Sequence, residues 1–355
     1  MASMDQFRKR VVRDSLFAPC GLAEAVRRLG FVQADPIRCP ARAQDLILRH
    51  RVKGYRAGDL EQAYPTLGLE ECFLYAYGFG SQALWQAVHP RSEEKLSSEQ
   101  EAILDLVREE GEMHPKTLEE RMGGSRTKNY WGGYSRSAKM ALESLHHRGA
   151  LRISRREKGI RIYAVAEPFE QTRSPEERFK ELVVATVQAL GPMSPQFLLR
   201  ELAHFKNLVP LRRNRRAGLQ ELIDSGRMQL EEVDGGEYVS LAGRPPGRTR
   251  LNQVRFLAPF DPIVRDGARF EKLWGWTYRF EAYTPPAKRK MGYYALPVLW
   301  QDQVVGWANA KVTDGRLDVD LGYVSRPKEA AFAEQLEREV ARMATFLGVE
   351  ESRLT

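Results

Sequence analysis

Hydrophobic and polar residues follow two different periods along this chain, and the switches between them divide it into segments. In residues 99–170, apolar positions recur at helical spacing in three stretches and then alternate through LRISRREKGIRIYAV, in which Lys158-Gly159 is typical of a turn. The pattern predicts three helices followed by a β-hairpin. That is the element order of a winged helix-turn-helix domain.

The same plan recurs on both sides of this segment. In residues 171–243, three helical stretches precede MQLEEVDGGEYVSL, a hairpin pattern with Asp-Gly-Gly at the turn. Residues 1–98 show short helical stretches around a small apolar strand, which is a less regular version of the plan. We therefore expect three tandem winged-helix domains, with boundaries at 1–98, 99–170 and 171–243.

Beyond residue 243 the pattern changes again. A basic, Gly/Pro-rich stretch at 242–250 reads as a linker, and short aromatic and β-branched runs separated by turns follow it. Two of these runs, WTYRFEAYTP and GYYALPVLW, predict the arms of a hairpin, and one amphipathic helix closes the chain. We expect residues 244–355 to form a β-rich, barrel-like domain with a closing helix, which makes the fold class α+β.

Composition narrows the class of protein. The chain has 355 residues, a formal net charge of +8 and a pI of about 9.3, a balance that favours polyanionic partners. It has no run of about 20 apolar residues and no apolar leader, so we expect a cytoplasmic, nucleoid-associated protein without a membrane partner. Three cysteines and scattered histidines match no ligand spacing, so we expect no metal and no cofactor.

Positive charge concentrates in the predicted wings, before the third helix of the third domain, and at the tip of the C-terminal hairpin. The third helix and the wing are the surfaces through which winged-helix domains meet DNA, so we expect double-stranded DNA as the partner. The alternative is that each cluster is an ordinary solvated surface. The candidate DNA-binding residues are Arg155, Arg156, Lys158, Arg212, Arg213, Lys288, Arg289 and Lys290.

A polar pair interrupts the apolar strand in LGFVQADPIR. Gln33 and Asp35 stand two residues apart, so on a strand their side chains project from one face. One interpretation is that Asp35 caps a helix beginning near Arg38 and that Gln33 is an incidental polar residue. The other is that the pair performs chemistry, with Arg38 beside it to meet a phosphate.

Several long segments resemble the AlkZ/YcaQ-like winged-helix DNA glycosylases, and the resemblance covers nearly the whole chain. They are LGFVQADPIRCPARAQDLILRHRVKGY, SAKMALESLHHRGAL, FLAPFDPIVRD, and YRFEAYTPPAKRKMGYYALPVLW followed by VVGWANAKV. The Gln-x-Asp form of the motif is similar to that of the AlkX branch. The resemblance implies three winged helices plus a β-rich domain, and an enzyme that excises alkylated bases and unhooks interstrand crosslinks.

The resemblance assigns chemistry to Gln33 and Asp35. An N7-alkylated purine is a cationic leaving group, so its enzyme needs a carboxylate to stabilise the oxocarbenium-like sugar and to activate water. Asp35 fits that role, and Gln33 can position water or the sugar-phosphate. The motif holds no amine, so we expect a monofunctional glycosylase. Nothing in the sequence suggests an obligate oligomer, so we expect a monomer. The alternative is a non-catalytic tandem winged-helix regulator.

Four further residues are candidates for supporting roles. Asp45 could organise the site, with a solvated helix residue as the alternative. Asp261 in the FDP segment could point toward DNA from a turn, with a purely structural turn as the alternative. Tyr55 and Trp131 are candidate DNA-facing aromatics, with core packing as the alternative. The chain also departs from the family pattern, since it lacks a usual histidine near residues 72–80 and reads GWANAK at 306–311, with Trp for Arg and Asn for Asp.

Overall fold

The computed structural model describes residues 3–91, 94–122, 126–128, 134–244, 247 and 249–354, which combine helices with several small sheets. They divide into two compact units, each assembled from separate stretches of chain. One unit comprises residues 1–60, 183–201 and 219–355, and the other comprises residues 61–182 and 202–218. Among the described residues, no helix combines the length and the apolar character needed to cross a bilayer.

The α-helices are α1 (Met4–Ser15), α2 (Leu22–Leu29), α3 (Ala43–Leu48), α4 (Asp59–Ala63), α5 (Gln82–Val88), α6 (Ser98–Glu110), α7 (Pro115–Met122), α8 (Ser137–Arg148), α9 (Pro175–Leu190), α10 (Pro195–Glu201), α11 (Arg212–Asp224), α12 (Gly267–Trp274) and α13 (Ala330–Leu347). The strands are β1 (Phe31–Gln33), β2 (Leu69–Phe73), β3 (Tyr77–Ser81), β4 (Arg126–Lys128), β5 (Tyr134–Arg136), β6 (Leu151–Glu157), β7 (Ile160–Val165), β8 (Met228–Val233), β9 (Gly236–Leu241), β10 (Val254–Phe256), β11 (Leu296–Trp300), β12 (Gln303–Thr313), β13 (Arg316–Tyr323) and β14 (Glu351–Leu354). Short 3₁₀ turns occur at Tyr64–Thr66, Ala203–Phe205 and Pro286–Lys288.

Two segments show the predicted helix-helix-helix-hairpin order. Helices α6, α7 and α8 precede the antiparallel pair β6–β7, and helices α9, α10 and α11 precede the pair β8–β9. Both hairpins turn through positive backbone φ, at Lys158-Gly159 and at Asp234-Gly235, as the turn residues predict. Helix α8 packs against α6, α7 and β6 and buries Leu142 and Leu145. The three helices and the final hairpin predicted for each segment are present, but the second segment also contains an antiparallel strand pair, β4–β5, between α7 and α8 that the sequence pattern did not predict.

The C-terminal region is built on a five-stranded sheet in the order β10-β11-β12-β13-β14. All neighbours are antiparallel except β13 and β14, which are parallel. Helix α13 packs against this sheet through Phe332, Leu336 and Met343. The expectation of a β-rich, barrel-like region with a late amphipathic helix is confirmed, because the sheet is a curled half-barrel with β10 and β14 at its edges. A short strand, β14, follows the helix.

The aromatic hairpin predicted around residues 276–300 is wrong in its first arm. Only β11 forms there, and the stretch from Gly275 to Ala295 is irregular apart from one 3₁₀ turn. The aromatic side chains bond to the neighbouring backbone in place of a ladder. Trp276 Nε1 donates to the carbonyl oxygen of Val304 at 3.0 Å, and the Tyr278 hydroxyl donates to that of Ala295 at 2.8 Å.

Helix α1 packs against residues that lie more than 200 positions later in the chain and belong to the same unit. One side of the helix contributes Phe7 and Val11 to a cluster with Val233. Val12 and Leu16 enter a second cluster that includes residues from the 257–304 region. The β-rich region therefore has the N-terminal helix as part of its core.

Candidate functional site

The Gln-x-Asp motif lies where a short strand leaves the end of a helix. Helix α2 ends at Gly30, whose φ of +74° and close approach to the Gln188 side chain both favour glycine. Strand β1 then buries Phe31, Val32 and Gln33. The Gln33 side chain is 7% exposed, and its Oε1 has no hydrogen-bond partner among the described residues.

Asp35 follows the strand in a turn. Its Oδ1 accepts a hydrogen bond from the backbone N–H of Ile37 at 2.9 Å, across Pro36, and its own N–H donates to Gln44 Oε1 at 3.4 Å. Burial raises the pKa of Asp35 above its ordinary value, and the Ile37 N–H partly opposes this. The site thus holds a partly buried carboxylate whose ionised form is only lightly stabilised.

The alternative that Asp35 caps a helix is wrong. The next helix, α3, begins at Ala43, and its N-cap is Arg42, whose side chain makes no capping hydrogen bond. The Asp35 carboxylate closes a local turn instead. Gln44, in the first turn of α3, is a neighbour of the motif that the sequence did not single out.

Strand β12 contacts two segments that are far apart in the sequence, one that follows Asp35 and one that precedes β11. The Cys39 Sγ lies 3.9 Å from the carbonyl oxygen of Ala310, and Asn309 Nδ2 donates to the carbonyl oxygen of Met291 at 2.8 Å. Asn309 is one of the departures from the family pattern, and here it supports the loop that leads to Tyr294. The segments following Asp35 and preceding β11 therefore meet on consecutive residues of one strand.

Tyr294 is the second neighbour that the sequence did not single out. It is 2% exposed, and its hydroxyl has no hydrogen-bond partner among the described residues. Burial and then the nearby Asp35 carboxylate raise the pKa of Tyr294 well above its ordinary value. The Tyr294 hydroxyl therefore stays protonated beside Asp35.

The loop between α12 and β11 carries candidate DNA-binding residues on a fixed scaffold. Glu281 accepts hydrogen bonds from the backbone N–H groups of Lys290, Met291 and Gly292, with the shortest at 2.8 Å. Gly292 has a φ of +126°, and a side chain there would collide with Asn309. A carboxylate thus replaces the backbone ladder that the hairpin prediction assumed.

Cationic and aromatic side chains project from this loop. Lys288 and Lys290 are exposed, and Tyr283 is 83% exposed. Arg289 is partly buried, since its Nε donates to the carbonyl oxygen of Thr284 at 2.8 Å and its guanidinium lies over the Tyr293 ring. Arg289 therefore braces the loop, whereas the two lysines are available to solvent.

Among the candidate DNA-binding residues of the β6–β7 hairpin, one is mostly buried and two lie at the surface. Arg156 is mostly buried, and its Nε and Nη2 donate to the two carboxylate oxygens of Glu71 at 2.7 and 2.6 Å. The expectation that Arg156 contacts DNA is therefore wrong, because its guanidinium neutralises a buried carboxylate. Arg155 pairs with Glu112 at 3.0 Å on the surface, and Lys158 is exposed at the turn.

The remaining basic candidates are exposed. Arg212 and Arg213 occupy the first turn of α11, where the sequence predicts the third helix of a domain. Arg38 is exposed three residues beyond Asp35. Their positions agree with a role in phosphate contact, which stays a prediction.

Three of the four residues proposed for supporting roles are buried inside the protein. Asp45 is buried and accepts from the Tyr55 hydroxyl at 2.8 Å and from the Gly58 N–H at 3.1 Å, so Tyr55 packs inside and does not face DNA. Asp261 is fully buried and receives two hydrogen bonds from Arg51, at 2.8 and 3.0 Å. The expectation that Asp261 points toward DNA is therefore wrong, and Trp131 lies outside the described residues.

Across the described residues, no group of three or more histidine, cysteine or carboxylate side chains has an arrangement suited to a metal ion. The side-chain groups that interact with Asp35 are instead the Gln44 amide, which accepts a hydrogen bond from the Asp35 N–H, and the Tyr294 hydroxyl, whose pKa the Asp35 charge raises. Such groups can hold a water molecule and polarise it. The arrangement favours hydrolytic chemistry.

The chain is similar to known proteins both in sequence pattern and in fold. A family model described as "DNA glycosylase AlkZ-like" matches residues 26–346. Among solved structures, the DNA glycosylase AlkZ of Streptomyces sahachiroi superimposes with a TM-score of 0.64 at 15% sequence identity, with 100% of each chain covered. At 15% sequence identity the structural match establishes only the fold. The family model establishes the family, because it matches residues 26–346.

Proposed function

The chain belongs to the AlkZ-like family of DNA glycosylases, and on this basis we propose that it hydrolyses the N-glycosidic bond of purine nucleotides alkylated at N7 or N3 in double-stranded DNA. Family membership makes the protein a DNA glycosylase and DNA its substrate, so the alternative of a non-catalytic regulator is set aside. The choice of lesion and of residues is our proposal.

The observation that carries the proposal is the partly buried Asp35 carboxylate beside the buried Gln33 amide. Hydrolysis passes through an oxocarbenium-like sugar, which a nearby carboxylate stabilises by charge. Burial strengthens that attraction because water screens it less. Asp35 would stabilise the sugar cation and activate water, and Gln33 would position the water or the sugar-phosphate.

The expected reaction is that of a monofunctional glycosylase. A cationic alkylated purine takes the electron pair of the broken C1′–N9 bond and leaves neutral, so no general acid is required. The Gln-x-Asp motif offers no amine to form a Schiff base with the sugar, so strand cleavage should not accompany base release.

Base release from defined lesions tests the function. We expect the protein to release 7-methylguanine from a duplex and to leave abasic sites, so that strand breaks appear only after alkali. Parallel duplexes carrying 3-methyladenine or an N7–N7 mustard crosslink would define the lesion range. Absence of release from all three duplexes, or breaks without alkali, would contradict the proposal.

Crosslink unhooking and membership of the AlkX branch form the finer part of the proposal. The Gln-x-Asp form of the motif supports the branch. The partial exposure of Asp35 supports activity on a base that is tethered to the opposite strand, because such a base cannot rotate freely into a deep pocket.

We also propose that residues 1–98, 99–170 and 171–243 are three winged-helix domains and that residues 244–355 are the β-rich domain. The repeated helix-helix-helix-hairpin order in the second and third segments supports this division. DNA contact would then involve Arg38, Arg155, Lys158, Arg212 and Arg213 together with the loop that carries Lys288 and Lys290.

Removing the two exposed loop charges should weaken DNA binding in a salt-dependent way. Each lysine that neutralises a phosphate contributes about 0.9 to the slope of log K against log salt, so K288Q/K290Q should reduce that slope by about 2. Arg289 is left in place because it braces Thr284. Titrations of a fluorescent duplex at several salt concentrations measure the slope.

The matched control is K9Q/K328Q, which removes the same charge from two exposed lysines elsewhere on the chain. The control should keep the wild-type slope. An unchanged slope in K288Q/K290Q, or an equal decrease in both variants, would show that the loop lysines make no specific phosphate contact.

A further inference from the structure

Two buried polar atoms, the Tyr294 hydroxyl and Gln33 Oε1, have no hydrogen-bond partner among the described residues, and their chemical roles are opposite. The Tyr294 hydroxyl can donate a hydrogen bond and Gln33 Oε1 can accept one, yet neither is satisfied by a described residue. Leaving a buried polar group unpaired costs about 1–3 kcal/mol. An ordered water usually satisfies such groups in folded proteins.

The two atoms belong to segments that are linked to Asp35 in different ways. Gln33 precedes Asp35 by two residues. Tyr294 follows Met291, which is bonded to Asn309, whereas Asp35 precedes Cys39, which lies against Ala310 of the same strand. Burial and the Asp35 carboxylate both raise the pKa of Tyr294, so its hydroxyl stays protonated and can donate a hydrogen bond.

We propose that the Tyr294 hydroxyl, Gln33 Oε1 and the Asp35 carboxylate form a three-point site for the attacking water. The water donates one proton to Gln33 and one to Asp35, and it accepts a hydrogen bond from Tyr294. One lone pair on the water oxygen remains for the sugar. The inference rests on the proposed function, and it adds Tyr294 as a water-positioning residue.

The reaction at this site balances without another reactant. The lone pair of the water oxygen forms the new bond to C1′ of the deoxyribose, and the C1′–N9 bond breaks. The electron pair of that bond moves onto the cationic alkylated purine, which leaves neutral. The proton that the water loses passes to Asp35 and then to solvent.

The conservative variant Y294F tests the proposal. It removes the hydroxyl and keeps the ring, which packs against Phe280 with a centroid separation of 5.3 Å. Because the hydroxyl has no hydrogen-bond partner among the described residues, its removal should leave the thermal midpoint unchanged or higher. The single-turnover rate of 7-methylguanine release should fall at least about 10-fold, in the direction seen when a positioned donor is lost from an active site. Duplex affinity should stay within about 2-fold.

The control is Y278F, since the Tyr278 hydroxyl donates to the carbonyl of Ala295 and has a structural partner. This variant should lower the thermal midpoint and keep the release rate of the folded protein. A double-mutant cycle of Y294F with Q33M adds a readout that structural damage would not produce. If both side chains hold one water, the double variant should lose less than the product of the two single losses.

The outcomes separate this inference from the proposed function. A wild-type protein that releases no base overturns both. A wild-type protein that releases 7-methylguanine, together with a Y294F variant of wild-type rate, overturns only the three-point site. A Y294F variant whose affinity and release rate fall together, or a cycle in which the losses multiply, also overturns it.

Discussion

D35N should release 7-methylguanine about 10²- to 10⁴-fold more slowly than the wild type while binding the same duplex with nearly unchanged affinity. Asparagine has the shape of aspartate, and its Oδ1 can still accept the hydrogen bond from the Ile37 N–H. The local turn should therefore persist, and only the negative charge is lost. Single-turnover base release and a binding titration measure the two quantities separately.

The control for this variant is D314N, which removes one negative charge from an exposed turn. Asparagine tolerates the positive φ at this position, so the control should fold and react as the wild type. Full activity in D35N would contradict a catalytic carboxylate. Equal losses of binding and release would point to a structural role.

The pH dependence of 7-methylguanine release by the wild-type protein is a second test of the role of the Asp35 carboxylate. Asp35 must be ionised to stabilise the sugar cation, so activity should fall as the pH drops through its pKa. Because burial raises that pKa, the loss should begin at a higher pH than the value of about 3.9 typical of aspartate would give. This acid limb should be absent from the residual activity of D35N.

Local sequence signals predicted the regular parts of the fold. The β6–β7 hairpin follows from alternation on both sides of Lys158-Gly159, and the β8–β9 hairpin follows from the Asp-Gly-Gly turn. Turn residues with positive φ and strands with period two are local physical requirements, so the sequence displays them directly.

The same reasoning failed where side chains replaced backbone pairing. The aromatic run from Trp276 alternates as a strand would, but its rings and hydroxyls bond to the backbone of neighbouring segments. Glu281 then takes the N–H groups of residues 290–292, which a second strand arm would have shared. Alternation alone does not distinguish a strand from an aromatic segment fixed by its side chains.

The candidate site could be predicted only where its residues are neighbours in the sequence. Gln33 and Asp35 stand together, and the pair is recognisable as a polar interruption of an apolar strand. Tyr294 lies about 260 residues away, and nothing in its local sequence distinguishes it from the neighbouring Tyr293, which is 42% exposed. The contacts of Cys39 and Met291 with consecutive residues of β12 link the two segments, and these contacts exist only in the folded chain.

The second large effect is expected in D261N, which should lose about 3–5 kcal/mol of unfolding free energy. Asp261 and Arg51 are both fully buried, and two hydrogen bonds join the carboxylate to the guanidinium. Removing the negative charge leaves the Arg51 cation in the interior without its counter-charge. Urea unfolding followed by circular dichroism measures the loss.

The comparison variant is D318N, which breaks a surface pair with Arg316 and should cost less than about 1 kcal/mol. The two variants also distinguish a structural aspartate from one that faces DNA. If Asp261 stabilises the interior, the folded fraction of D261N should bind duplex as the wild type does. A D261N protein of normal stability and weakened DNA binding would restore the interpretation that the FDP segment meets DNA, because a buried, paired carboxylate cannot be removed without cost.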